Sequence, residues 1–250
     1  LALEAGVSEP TVNRFCRSLE TRGFPDFKLH LAQSLAHGTL YVNRNVDEDD
    51  SVESYTGKIF ESAMASLDQV HHSLDMSAIN RAVDLLTQAK KIAFFGLGSS
   101  AAVAHDAMNK FFRFNVPVIY SDDIVLQRMS CMNCNDDDVV VIISHTGRTK
   151  SLVELAQLAR ENDAMVIAIT SPGTPLSRES TLAITLDVPE DTDIYMPMVS
   201  RLAQLTVIDV LATGFTLRRG AKFRDNLKRV KEALKESRFD KELSLHSNDQ

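Results

Sequence analysis

Ser144, Thr146 and Thr149 set three hydroxyls around Gly147 and beside His145, after the apolar run at 139–143 and before a helical pattern starting near Lys150. Closely spaced hydroxyl donors, joined by the open N–H groups of a helix N-terminus, suit the oxygens of one phosphate. Arg148 and Lys150 add positive charge nearby. A second loop, "FFGLGSSAA", offers similar chemistry: Phe95 ends an apolar run, Gly96 and Gly98 make the turn, and Ser99 and Ser100 open a helix. Backbone N–H groups there point at an incoming anion. Parallel strands end on one edge of their sheet, so both loops belong at the crevice where α/β folds bind ligands. The bland alternative is that these hydroxyls only cap and turn their own backbone, which is common for one loop and less so for two.

Other chemistries compete for the same residues. Gly96, Gly98 and Ala101 satisfy the dinucleotide pattern G-x-G-x-x-A, and Asp122 and Asp123 follow about 20 residues on, so a nicotinamide or flavin oxidoreductase is a rival. That motif does not require paired serines. A phosphosugar isomerase is another rival, and it needs a general base beside the carbonyl carbon. His145 and Glu190, in "PEDTD", are the available groups. His145 fits better as a polar loop residue or ligand contact, so no catalytic residue is assigned and no cofactor is expected. Cys131 and Cys134 form a C-x-x-C without a second Cys or His pair at metal spacing. His71 and His72 are adjacent on a predicted helix and are expected to point in different directions, so no metal site is assigned. Residues 136–138, all Asp, read as a solvated turn before a strand.

The N-terminal "LEAGVSEPTVNRFCRSLETRGF" places Gly6, Val7 and Ser8 between a truncated helix and one whose apolar face is Val12, Phe15, Cys16 and Leu19. A Gly-containing turn between two short helices is a helix-turn-helix layout. Ser8 suits the N-cap, and Pro10 is tolerated in the first turn. The opposite face presents Thr11, Asn13, Arg14, Arg17 and Ser18, whose side chains pair with base edges and phosphates. Glu4, Glu9, Glu20 and Asp26 balance the local cations, so an ordinary amphipathic surface helix is the competing account.

The elements that must position these residues follow from the rhythm of the chain. Its 250 residues are 44% apolar, enough for one good core and a small second one. Short apolar runs, "KIAFF", "VPVIY", "VVVIIS", "MVIAIT" and "LAITLDV", alternate with helical patterns or short turns. That predicts a mostly parallel five-stranded sheet between helices. Before it, two helical patterns fill 52–90, the second N-capped by Ser77; after it, a buried apolar helix runs from 198 to 217 and stops at Gly220. A last amphipathic helix carries Phe223, Leu227, Val230 and Leu234, and the tail beyond Phe239 is expected to be disordered. Gly38 and the acidic run at 47–50 interrupt all periodicity, which places a domain boundary there.

A formal charge of −7 gives no global attraction to nucleic acid, so any DNA contact must be local. Three cysteines cannot make a disulfide framework, no apolar stretch approaches a membrane span, and the N-terminus lacks a secretory layout. A cytoplasmic location is the expectation. The sequence opens at Leu1, inside a helical pattern, as a fragment would.

"GLGSS" and "SHTGRT" resemble the two signature loops of the SIS (sugar isomerase) domain, whose second loop usually reads Ser-x-Ser-Gly-x-Thr; here Thr146 replaces the second serine and keeps the hydroxyl. "GVSEPTVNRFCRSLETRGFPDFKLHLAQSL" resembles the RpiR-type transcriptional regulators, which join a helix-turn-helix to a SIS domain, and "PEDTDIYMPMVSRLAQLTVIDVLATGFTLRRGAKFRDNLKRV" is similar to members that govern hexose catabolism. The resemblance implies a SIS-type α-β-α sandwich behind a small all-α unit truncated at its start. It implies a DNA-binding regulator, a repressor of sugar catabolism, rather than an enzyme. Related isomerases carry His-Pro-Gly-Gly after the long C-terminal helix, whereas this chain reads "TLRRGAKF". The implied effector is a phosphorylated sugar acid, 2-keto-3-deoxy-6-phosphogluconate, held by Gly98, Ser99, Ser100, Ser144, His145, Thr146, Gly147, Arg148 and Thr149. Operator DNA would meet Ser8, Thr11, Asn13, Arg14 and Arg17 of a homodimer or higher homo-oligomer, with no membrane partner. The expected domains are 1–36 for DNA, 37–51 as linker, 52–240 for the sugar phosphate and 241–250 as tail.

Overall fold

Continuous apolar runs rich in Val, Ile and Phe make strands that are covered on both faces. In this computed structural model they are β1 (Lys91–Gly96), β2 (Val118–Ser121), β3 (Asp138–Ser144), β4 (Met165–Thr170) and β5 (Leu182–Thr185), in the order β2-β1-β3-β4-β5 with every neighbouring pair parallel. The structure describes residues 2, 6–19, 21–28, 45–190 and 196–235. The chain divides into two compact units, one holding Leu1–Ser62 with Asp191–Met196, the other Ala63–Glu190 with Pro197–Gln250.

In the first unit, α1 (Glu9–Ser18) follows a turn in which Gly6 takes a φ of 65°, the left-handed region that glycine enters freely. The helix expected before Gly6 lies outside the described residues. Val12 and Cys16 are buried as expected, but Phe15 and Leu19 are exposed; Phe15 meets Phe27 edge-on at 6.3 Å. The acidic run does more than break periodicity. Asp47 and Asp50 clasp Lys58 at 3.1 and 2.6 Å, and the bond from Lys58, helped by Ser54 and a backbone amide, brings the Asp50 carboxyl down to about 2.

The second unit is a sandwich. Helix α2 (Val52–Ser73) ends in it, and α3 (Met76–Gln88), α4 (Ser99–Phe111) and α8 (Val199–Lys235) cover one face of the sheet through Phe94, Val141, Ile143 and Ile167. Helices α5 (Ile124–Met132), α6 (Lys150–Glu161) and α7 (Pro175–Glu179) cover the other through Phe95, Val140, Ile142 and Val166. Alternate residues of each strand serve opposite cores, as the pleat requires. No helix among the described residues is long and apolar enough to cross a membrane.

Three local expectations are corrected. The N-cap of α3 is Asp75 rather than Ser77; its carboxylate accepts the Ser77 N–H at 2.8 Å, because the helix starts earlier, at Met76. Asp138 is no solvated turn residue but the buried first residue of β3, paired at 2.6 Å with Lys91, its register partner on β1. The stop expected at Gly220 is present as a break inside α8, and the amphipathic helix expected after it follows. That residue interrupts it at φ 76°, ψ −165°, and the chain re-enters helix at once, bringing Phe223 within 5.7 Å of Phe114 and 5.8 Å of Phe215. The third correction is that α8 is not buried all round: Ala203, Val207, Ile208, Leu211 and Phe215 face the core, while Leu202, Val210 and Leu217 are exposed.

Candidate functional site

Both polar loops leave the carboxyl ends of adjacent strands, since Gly96 of β1 is the register partner of Ile143 of β3. From β1 the chain crosses to β2 on one side, and from β3 to β4 on the other. This reversal of strand order opens the crevice in which doubly wound folds take their ligands.

The first loop is shaped by its glycines. A Cβ on Gly96 would lie 2.7 Å from the backbone oxygen of Ser100, so only glycine lets the first turn of α4 sit against the strand end. Gly98, at φ 56°, is the N-cap, and α4 has no side-chain cap. Ser100 is buried and Ser99 half-buried. Gln127, fully buried on α5, braces this loop by donating to the Gly96 carbonyl at 3.3 Å and the Ser121 carbonyl at 2.7 Å. Nothing in the local sequence marked Gln127 for that role.

In the second loop Gly147 takes a φ of 57°, and a Cβ there would overlap both Thr170 and Thr174. Gly147 N–H donates to Ser144 Oγ at 3.3 Å, and Arg148 N–H donates to Thr146 Oγ1 at 3.4 Å. Each hydroxyl accepts from its own loop and keeps its proton to donate outward. Thr149 is the N-cap of α6 by backbone alone, without a side-chain cap bond. The outcome is a run of hydroxyls and amides with Arg148 and Lys150 exposed beside it.

His145 and Glu190, the groups weighed as bases, are held in structural work. His145 Nε2 lies 3.3 Å from the Glu190 carbonyl, its Nδ1 lies 3.5 Å from Ser171 Oγ, and its own carbonyl accepts the Ser171 N–H at 2.9 Å. The Glu190 carboxylate caps α8, accepting N–H groups of Met198 and Val199 at 2.7 and 2.8 Å and both the N–H and hydroxyl of Ser200. Burial pushes its carboxyl up, and the bonds from Ser200 and the backbone outweigh burial and leave it below the usual glutamate value. The dinucleotide reading loses one of its two candidate ribose acids, because Asp123 caps α5 through the Val125 and Leu126 amides at 2.9 Å.

Among the other residues singled out, burial above all pushes the Cys131 thiol up to about 12 and raises Cys134, so neither is a thiolate at neutral pH. His71 and His72 do not diverge as expected. Their ring nitrogens and the Asp68 carboxylate lie within 4.8 Å of one another, all three residues exposed, because Asp68 precedes them by three and four positions on one helix.

Arg14 and Arg17 are exposed on α1. Ser8 Oγ bonds Thr11 Oγ1 at 2.9 Å, which in turn accepts from Arg14 at 3.4 Å. Asn13 Oδ1 accepts the Phe24 N–H at 2.9 Å and so fixes the start of the helical segment at 24–28, leaving its NH₂ to reach outward.

Comparison with known proteins adds the following. The SIS domain family matches residues 85–214, and the helix-turn-helix domain of the rpiR family matches residues 1–38. The chain is 90% identical over 249 residues to the HTH-type transcriptional regulator HexR of Escherichia coli strain K12, covering 100% of this chain and 86% of that protein. It is 57% identical over 239 residues to HexR of Pseudomonas aeruginosa, covering 96% and 84%. Among solved structures, the NanR protein of Vibrio vulnificus complexed with ManNAc-6P superposes with a TM-score of 0.69 at 25% identity, over 96% of this chain and 85% of that one.

Proposed function

This chain belongs to the HexR-type, rpiR-family transcriptional regulators that carry a SIS domain, and from that premise we propose that its SIS unit senses a phosphorylated sugar acid, with 2-keto-3-deoxy-6-phosphogluconate as the effector. The two HexR relatives, 90% and 57% identical over nearly its whole length, are named transcriptional regulators, so it is a regulator and not an enzyme. The observation that carries the effector reading is the meeting, at the strand-order reversal, of two hydroxyl-rich loops that each lead into a helix start without a side-chain cap, with Ser100 in one and Ser144 in the other. The phosphate sits in the second loop, and the first loop takes the ligand's hydroxyls or carbonyl. A related protein solved with a sugar phosphate, NanR with ManNAc-6P, supports the ligand class. Effector binding in turn alters operator affinity, and the protein represses from the cytoplasm as a dimer through Ser8, Thr11, Asn13, Arg14 and Arg17.

Calorimetric titration of Ser100→Ala and Ser144→Ala tests the site. Loss of one hydrogen bond to a charged group costs about 1.5–3 kcal/mol, or roughly ten- to a hundredfold in affinity. Unchanged affinity in both variants for every sugar phosphate tried removes the assignment.

A further inference from the structure

A cavity of ≈ 220 Å³ opens between the first turns of α4 and α8, lined by Ala102, Val103, Met198, Arg201, Leu202 and Leu205. Among the described residues Arg201 is its only charged lining residue. It is exposed, and it has no ion pair or hydrogen bond among the described residues, whereas Arg218 is paired with Asp84 and Lys110 with Asp106 and Asp209. A guanidinium left without a partner beside an apolar hollow is suited to a planar, bidentate anion such as a carboxylate.

Its place in the fold ties this cavity to the effector loops. Ala102 and Val103 follow Ser99 by three and four residues, so they share its face of α4, about one 5.4 Å turn further along. Arg201 shares a face of α8 with Met198 and Leu205, at spacings of three and four. The start of that helix is fastened to the second loop: Glu190 caps Met198, Val199 and Ser200 through its carboxylate and meets the His145 ring through its carbonyl. The cavity therefore lies within one helical turn of the first loop and beside the segment that His145 anchors.

Building on the effector reading above, we infer that Arg201 binds the carboxylate of the phosphorylated sugar acid and so makes the site select acids over neutral sugar phosphates. The loops hold the phosphate end and the six-carbon chain leads the carboxylate to the guanidinium.

The test uses this chain and three probes in calorimetric titration: 2-keto-3-deoxy-6-phosphogluconate, 6-phosphogluconate and glucitol 6-phosphate. The last two differ only in carrying a carboxylate or a CH₂OH at one end. Arg201→Gln is expected to weaken both acids roughly ten- to a hundredfold and to leave glucitol 6-phosphate within about twofold, with Arg201→Lys in between. Because the readout is a ratio, a general loss of fold, which lowers all three alike, counts against the inference. Binding of all three with an unchanged acid-to-neutral ratio in Arg201→Gln overturns the role of Arg201 alone. Failure of all three to bind the unsubstituted chain overturns the effector reading and this inference with it.

Discussion

Gly147 has no room for a side chain. Its φ of 57° already costs an L-residue about 1–2 kcal/mol, and a Cβ would overlap Thr170 and Thr174 as well. Gly147→Ala should therefore lower stability by at least about 1–2 kcal/mol in urea titration and weaken sugar-phosphate binding more than Thr146→Ser, which keeps the hydroxyl. Glu190 makes a different prediction, in pH. Its folded value is depressed, so the stability it contributes is present above the unfolded glutamate value, about 4.3, and is lost as pH falls through the lower folded value. Amide signals of Met198, Val199 and Ser200 should shift together as pH falls, with a shared midpoint below the usual glutamate value. In Glu190→Gln that shared transition should vanish. The two loops could be read from sequence because a serine or threonine next to a glycine after an apolar run is a local signal. Glu190 and Gln127 could not, since each takes its role from partners on other elements: Met198 to Ser200 at the start of α8 for one, Gly96 of β1 and Ser121 of β2 for the other.

At the scale of elements, composition located all five strands, because a parallel sheet covered on both faces needs unbroken apolar runs and this chain has five of them. Helix α8 was harder. Counting apolar residues foretold a helix buried all round, yet burial depends on which side meets the sheet, and Leu202, Val210 and Leu217 lie on the far side. The break at Gly220 and the helix after it were both legible, one from the glycine and the other from the stripe of Phe223, Leu227, Val230 and Leu234; what joins them is tertiary, since Phe114, Phe215 and Phe223 close on one another, with Arg219 over the Phe215 and Phe223 rings at 5.6 and 5.5 Å. Phe215→Ala, at a fully buried position, should cost about 3–5 kcal/mol. Gly214 is the other pressure point, since a Cβ there would stand 2.6 Å from Val83 Cγ2 where α8 crosses α3. Gly214→Val should cost about 1–3 kcal/mol, and Val83→Ala should recover part of that in a double-mutant cycle.

For the whole molecule, the decisive quantity is the coupling between sugar phosphate and operator. Residues that would touch the ligand, from Gly98 to Thr149, and those that would touch DNA, from Ser8 to Arg17, belong to different compact units, so the proposed coupling is conformational. Whatever influence one has must pass through a difference in affinity between conformations. In a dimer the vulnerable dimension is the separation of the two recognition helices, because half-sites tolerate only a fixed spacing. A hundredfold loss of operator affinity on saturation with 2-keto-3-deoxy-6-phosphogluconate corresponds to about 2.7 kcal/mol of coupling, within the ordinary range for allosteric proteins. Linkage then fixes the reverse effect: saturating operator must weaken sugar-phosphate binding by the same factor. Calorimetry with and without operator DNA measures one direction and fluorescence anisotropy of labelled operator the other. Equal effector affinities in the two calorimetric titrations would rule this compound out as an allosteric effector, even if Ser100 and Ser144 hold it.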